Sequence, residues 1–112
     1  MNRVVITGMG AITPLGNTVT EFWDGIKNGK NGIAAITNFD ASETGISVAG
    51  EVKDFDATKY MDRKEYKRMD LFSQDAVAAS AQAVEQSGID MEKIDADRFG
   101  VTIGSGVGGF IT

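Results

Sequence analysis

Phe99-Gly100-Val101-Thr102-Ile103-Gly104-Ser105-Gly106-Val107-Gly108-Gly109 is the stretch that decides the fold of this 112-residue chain. Residues 101–103 are β-branched, as is typical of a buried strand. Four of the six residues that follow are glycines. Glycine adopts positive φ and lets a ligand or another chain approach closely. Because open α/β sheets bind ligands beyond the carboxyl ends of their strands, this stretch predicts a ligand-binding edge. A flexible turn that leads into a helix is the alternative interpretation.

The composition argues against several classes of protein. The formal net charge is −5, which does not suit a nucleic-acid binder. No apolar run reaches membrane-spanning length, and the chain starts without a signal-peptide pattern. The chain has no Cys and no His, so it lacks the commonest nucleophile, general base and zinc ligands. We therefore expect a cytoplasmic protein from a reducing compartment, with neither a membrane nor a nucleic acid as its partner.

The first third of the chain predicts a strand and then a helix. Residues 3–7 form a continuous apolar run, which indicates a strand covered on both faces. A loop with the single proline follows, and the residues from Thr18 to Glu21 match a capping box. The helix that begins there is expected to end near Gly29 and to turn one apolar face to the core. That face consists of Val19, Phe22, Trp23 and Ile26.

The middle of the chain predicts a weak strand and a long helical tract. Residues 46–52 alternate as expected for a strand with one wet face. Asp62 is a good N-cap, and the tract closes at Gly88, with Asp70 as a second cap at which it can break. Residues 75–84 are small on nearly every side, so we expect this half to be a buried helix. The order of elements predicts an α/β chain that forms the front part of a larger protein.

A basic cluster precedes the long helix. It holds five of the eleven basic residues within ten positions: Lys59, Arg63, Lys64, Lys67 and Arg68. A helix would put Lys64, Lys67 and Arg68 on one face. Two interpretations are open: a solvated face that pairs with Glu65, or a surface that steers an acidic partner.

The glycine stretch also contains a literal G-x-G-x-x-G motif, at residues 104–109. The match is weak because the motif follows the third predicted strand rather than the first, and the given sequence ends before an acidic ribose partner could appear. A nucleotide-binding α/β module is therefore an alternative rather than the main interpretation.

Four stretches together resemble the N-terminal part of the bacterial β-ketoacyl-acyl carrier protein synthases, above all the elongating enzymes of fatty acid synthesis. The resemblance covers the whole chain in order and is carried by residues 4–10, 13–17, 63–70 and 103–109. It implies a thiolase-like α/β fold, in which two βαβαβ halves sandwich buried helices, usually as a homodimer. The chain would be an N-terminal fragment, residues 1–112, of the synthase N-terminal domain.

The resemblance implies a decarboxylative Claisen condensation without a metal or redox cofactor. In the family, a cysteine takes the acyl group from acyl carrier protein, and two histidines stabilise the oxyanion that forms. None of these catalytic residues is present here, since the chain has no Cys and no His. The chain by itself is therefore predicted to be inactive.

The resemblance also assigns two sets of site residues. Lys64, Lys67 and Arg68 match the basic positions that meet the acidic acyl carrier protein. Val107 matches the branched residue that gates the acyl pocket, and Phe110 matches a position that lines it. Two rivals stay open besides the nucleotide-binding module: a decarboxylating, non-condensing polyketide synthase subunit that lacks the cysteine, and a non-catalytic interaction domain that uses the basic face.

Overall fold

Five helices and strands organise residues 1–109, the part of the chain that the computed structural model describes. Met1–Gly10 and the described part of Ala57–Thr112 form one compact unit, and Ala11–Asp56 forms the other. Within residues 1–109, no helix is long and apolar enough to cross a membrane. In chain order the elements are α1 (Val19–Lys27), β1 (Ile33–Ala35), β2 (Val48–Gly50), α2 (Arg63–Tyr66) and α3 (Leu71–Ser87), with 3-10 turns at Ala57–Lys59 and Ala96–Arg98.

Helix α1 begins at the predicted cap. The Thr18 hydroxyl accepts a hydrogen bond from the Glu21 backbone N–H at 3.1 Å. The expected return bond is displaced by one residue, because the Glu21 carboxylate accepts from the Asn17 N–H at 2.8 Å. The helix ends at Asn28, and Gly29 follows with a φ of +66°. The helix and both its ends are thus confirmed.

The predicted apolar face of α1 is wrong in part. Val19 and Phe22 are half-buried, but Trp23 is 56% exposed and Ile26 is 45% exposed. The helix packs instead through buried Gly25, where a Cβ would lie 3.2 Å from the Leu15 Cβ. A helix without a side chain at the contact point can approach a loop closely, so the bulky residues are left to one side.

The strands β1 and β2 form a two-stranded antiparallel sheet, in which Ile33 pairs with Gly50 and Ala35 with Val48. The predicted strand over residues 46–52 is confirmed only at its centre, and its partner β1 was not predicted. Its expected orientation is reversed, since Ala49 is half-buried whereas Val48 is 51% exposed. A two-stranded ribbon has too few neighbouring residues to bury the face that the alternating apolar residues were expected to turn inward.

The predicted buried strands at residues 3–7 and 101–103 are not formed. Both runs are extended, and Val4 and Val101 are largely exposed. Within residues 1–109 neither run pairs with a neighbouring strand. A strand requires ladder hydrogen bonds to a neighbour, and the apolar sequence alone does not supply one.

The long helical tract breaks at Asp70, as predicted. Helix α2 has a complete capping box, in which the Asp62 carboxylate accepts from the Glu65 N–H at 3.1 Å and the Glu65 carboxylate accepts from the Asp62 N–H at 3.1 Å. Helix α3 then starts after Asp70 and ends at Gly88, which has a φ of +68°. The positive φ explains the glycine at the C-cap.

Helix α3 is only partly covered among the described residues. Ala78 is fully buried, whereas Leu71 is 63% exposed. On another part of its surface the N-terminal segment lies very close, with Gly8 against the Ala83 carbonyl and Gly10 against the Ala79 carbonyl. The prediction of close approach by neighbours is therefore confirmed here, and the prediction of a helix buried all round is not.

Candidate functional site

The basic cluster is spread over the 3-10 turn at Ala57–Lys59, helix α2 and the turn that follows α2. Lys64, Lys67 and Arg68 are all exposed. After Tyr66 the chain continues in tight turns, in which the Arg68 N–H donates to the Glu65 carbonyl at 3.1 Å and the Met69 N–H to the Tyr66 carbonyl at 3.1 Å. A tight turn of this kind keeps residues three apart on one side. Lys64 and Lys67 are therefore presented together.

These three basic side chains make no ion pair with any residue in the described range 1–109. The recorded pairs join Lys27 to Asp24 and Lys93 to Asp90, both on other segments. Glu65, the expected intrahelical partner, uses its carboxylate for the cap at Asp62. The interpretation as a face paired with Glu65 is thus not what the structure shows, and the positive charges stay available.

Hydrogen bonds from α3 hold the turn that carries Lys67 and Arg68, which we call the basic turn. The Gln74 side-chain amide donates to the Tyr66 carbonyl at 3.0 Å and to the Met69 carbonyl at 2.9 Å. Eight residues further along α3, the Gln82 amide donates to the Tyr60 hydroxyl at 2.9 Å. Gln74 and Gln82 lie on one face with buried Ala78 between them, since their spacing is i, i+4, i+8. No feature of composition or hydropathy pointed to these two amides.

The glycine stretch lies at the start of α3. Gly109 is against the Asp70 carboxylate, and a Cβ at Gly108 would be 3.7 Å from the Phe72 ring. The Gly108 N–H donates to the Ser105 hydroxyl at 3.1 Å, which closes a turn. Gly108 alone in this stretch needs a positive φ, at 82°. Gly109 lets Asp70 approach closely, whereas nothing lies within 4 Å of a Cβ at Gly104 or Gly106.

Val107 is on this glycine turn and is 75% exposed, whereas Phe110 lies outside the described residues. The turn follows an extended segment without strand partners, so the strand–turn–helix context of a dinucleotide fingerprint is not found in residues 1–109. No group of Asp and Glu in the described part of the chain is arranged to hold a metal ion. Of the acidic groups on α3, Asp75 has its pKa raised by burial.

Comparisons with known proteins give relatives of this chain. The family model described as "Beta-ketoacyl synthase, N-terminal domain" matches residues 1–111. The chain is 54% identical over 107 residues to a 3-oxoacyl-[acyl-carrier-protein] synthase 2 of Synechocystis sp.. The match covers 96% of this chain and 26% of that protein. The chain is 46% identical over 110 residues to the enzyme of the same name from Staphylococcus aureus, with 98% and 27% covered.

A solved structure is also similar. The ishigamide ketosynthase/chain length factor matches with a TM-score of 0.71 at 34% identity, over 79% of this chain and 22% of that chain. The chain spans about a quarter of the length of the curated relatives, as their coverage of 26% and 27% shows.

Proposed function

The chain belongs to the β-ketoacyl synthase family, to whose N-terminal domain residues 1–111 correspond, and on this basis we propose that the complete protein is an elongating 3-oxoacyl-acyl carrier protein synthase of fatty acid biosynthesis. The family and the solved relative also establish the fold as thiolase-like α/β. The observation that carries the proposal is the 54% identity to a synthase 2 over nearly the whole chain.

The proposed reaction is a decarboxylative Claisen condensation. A cysteine thiolate holds the acyl group as a thioester, and malonyl-acyl carrier protein loses CO₂. The carbanion left behind attacks the thioester carbonyl, a carbon–carbon bond forms, and the cysteine thiolate leaves. The reaction needs no metal or redox cofactor. With no Cys and no His in this sequence, the chain contributes binding surfaces, and the catalytic side chains come from outside residues 1–112.

Acyl carrier protein is the proposed partner of the basic cluster. The support is physical: Lys64, Lys67 and Arg68 are exposed, and within residues 1–109 none of them is neutralised by an acidic neighbour. Unpaired positive charges on an otherwise acidic chain attract an acidic protein and repel others of their own sign. The names of the curated relatives include acyl carrier protein as well.

The acyl pocket is proposed at the glycine turn. Val107 would gate it and Phe110 would line it. An exposed apolar side chain on a turn whose neighbours are glycines supports the gate, because the backbone there resists rotation little. We also propose that residues 1–112 are an N-terminal portion of the synthase domain, and that the complete enzyme is a cytoplasmic homodimer.

One rival function has an observation in its favour. The solved relative pairs a ketosynthase with a chain length factor, and a decarboxylating subunit without the cysteine belongs to the same fold. The higher identity to synthase 2, at 46–54% against 34%, favours the condensing enzyme.

The test is a pair of assays on the complete protein with malonyl-acyl carrier protein. A condensing enzyme forms 3-oxoacyl product in step with CO₂ when acyl-acyl carrier protein is added. CO₂ release without product would identify the decarboxylating subunit and overturn the proposal. Residues 1–112 alone are expected to release no CO₂ above background, and turnover that survives repurification would contradict that expectation.

A further inference from the structure

Gln74 is a buried polar side chain that the proposed chemistry does not use. It is 8% exposed, and its amide donates to the carbonyls of Tyr66 and Met69 at 3.0 and 2.9 Å. These two carbonyls bracket Lys67 and Arg68 in the chain. One NH₂ group thus holds both ends of the segment that carries two of the three exposed positive charges.

The two bonds restrict the backbone where α2 has already ended. α2 stops at Tyr66, so Lys67 and Arg68 are held by short turns rather than by a regular helix. The Gln74 side chain is buried, and hydrogen bonds from a buried amide are stronger than those in water. Gln74 therefore adds two side-chain bonds to the backbone bonds of this turn and holds it in one conformation.

We propose that Gln74 is a positioning residue for docking of the acidic carrier protein, because it preorganises the backbone that presents Lys67 and Arg68. The inference rests on the proposed function of that cluster. A binding surface that is already in its bound conformation loses less entropy on association. Removal of the amide leaves all three charges in place and loosens only their presentation.

Gln82 provides a matched control. It lies on the same face of α3, two turns away, and its amide donates to the Tyr60 hydroxyl rather than to the basic turn. Replacement of either glutamine by methionine keeps the length of the side chain and removes its donors. General loss of α3 packing affects both variants, whereas loss of turn positioning affects only Gln74→Met.

The experiment compares Gln74→Met, Gln82→Met and the double charge reversal Lys64→Glu/Lys67→Glu in the complete synthase. KM and kcat are measured with two substrates: acyl carrier protein loaded with an acyl group, and a small acyl thioester without the protein. We expect Gln74→Met to raise KM for the carrier-protein substrate about three- to tenfold, with kcat and the small thioester unchanged. Gln82→Met should leave that KM unaltered. Because the charges remain, Gln74→Met should keep the salt dependence of KM, which the charge reversal reduces.

The outcomes separate the inference from its premise. A raised KM in the charge reversal with a normal KM in Gln74→Met overturns the positioning role alone. No change in the charge reversal overturns the docking surface and the inference with it. Equal increases in both glutamine variants, or losses with the small thioester, overturn positioning in favour of general destabilisation. If Gln74→Met does not fold, Gln74→Leu with Gln82→Leu gives the same comparison, since leucine is neutral and has no N–H to donate.

Discussion

Gly10 lies directly against the backbone carbonyl of Ala79, so close that a Cβ on residue 10 would overlap the oxygen. The N-terminal segment runs antiparallel to α3 here, since Gly8 meets Ala83 and Gly10 meets Ala79. The Met9 N–H between them donates to the Gln86 side chain at 2.7 Å. The close contact therefore requires both the small residues of α3 and the two glycines of the N-terminal segment.

Gly10→Ala is expected to destabilise the protein by about 1–3 kcal/mol or more, because the added methyl meets a backbone atom that cannot rotate away. Thermal or urea unfolding measures the change. Gly100→Ala is the matched control, since nothing lies within 4 Å of a Cβ there. Equal effects of the two substitutions would show that the contact at Ala79 does not determine stability.

Lys64→Glu/Lys67→Glu is expected to raise KM for carrier-protein substrates by about an order of magnitude at low salt and less at high salt. Small thioesters should react as before, because exposed charges act on encounter rather than on the chemical step. Steady-state kinetics with both substrate types checks this. Lys27→Glu/Lys30→Glu makes the same change of charge on the other compact unit, and an equal rise in KM there would point to net charge alone.

Val107→Phe in the complete enzyme should lower kcat/KM for long acyl chains much more than for short ones. A larger side chain on the glycine turn obstructs a long chain first, and one methylene of fit is worth about 1 kcal/mol. The measurement is kcat/KM against chain length, beside the melting temperature. A uniform loss that follows the melting temperature would mean that Val107 packs the protein and gates nothing.

Glu51 is expected to make the stability of the Ala11–Asp56 unit depend on pH. Its carboxylate accepts from the Thr37 hydroxyl at 2.8 Å and from the Asn38 N–H at 3.1 Å, and these bonds lower its pKa from 4.5, the bond from the Thr37 side chain most. A lowered folded-state pKa stabilises the protein above the unfolded value, and the contribution is lost as the pH falls through the folded pKa.

Glu51→Gln should therefore be less stable than the wild type at neutral pH, and the difference should shrink as the pH drops below 4.5. Urea unfolding between pH 7 and about 3 measures it, over the window in which a carboxyl titrates. Glu43→Gln controls for the loss of one charge. A difference that stays constant with pH would assign the effect of Glu51 to packing instead.

Local patterns in the sequence were sufficient for the starts of the helices and for the ends of α1 and α3. The caps at Thr18 and Asp62, the break at Asp70 and the stop at Gly88 all lie where predicted. Each depends on hydrogen bonds and φ values within a few residues, which the neighbouring sequence largely determines. The basic cluster was also predicted, but the helix expected to carry it ends at Tyr66, so that Lys67 and Arg68 lie on the turn that follows. The family followed from four short stretches in their order.

Only the tertiary structure decided which surfaces are covered and what holds the basic turn. Residues 3–7 and 101–103 have strand-like sequences, yet no strand forms there within residues 1–109, because ladder bonds need a partner that hydropathy does not specify. Trp23 is exposed because α1 packs through Gly25. Gln74 and Gln82 are ordinary helix residues in the sequence, and their bonds to Tyr66, Met69 and Tyr60 exist because α3 folds back against the segment that precedes it. Such contacts arise from the packing of whole elements, and the residues on either side of an amide carry no information about which carbonyl it will meet.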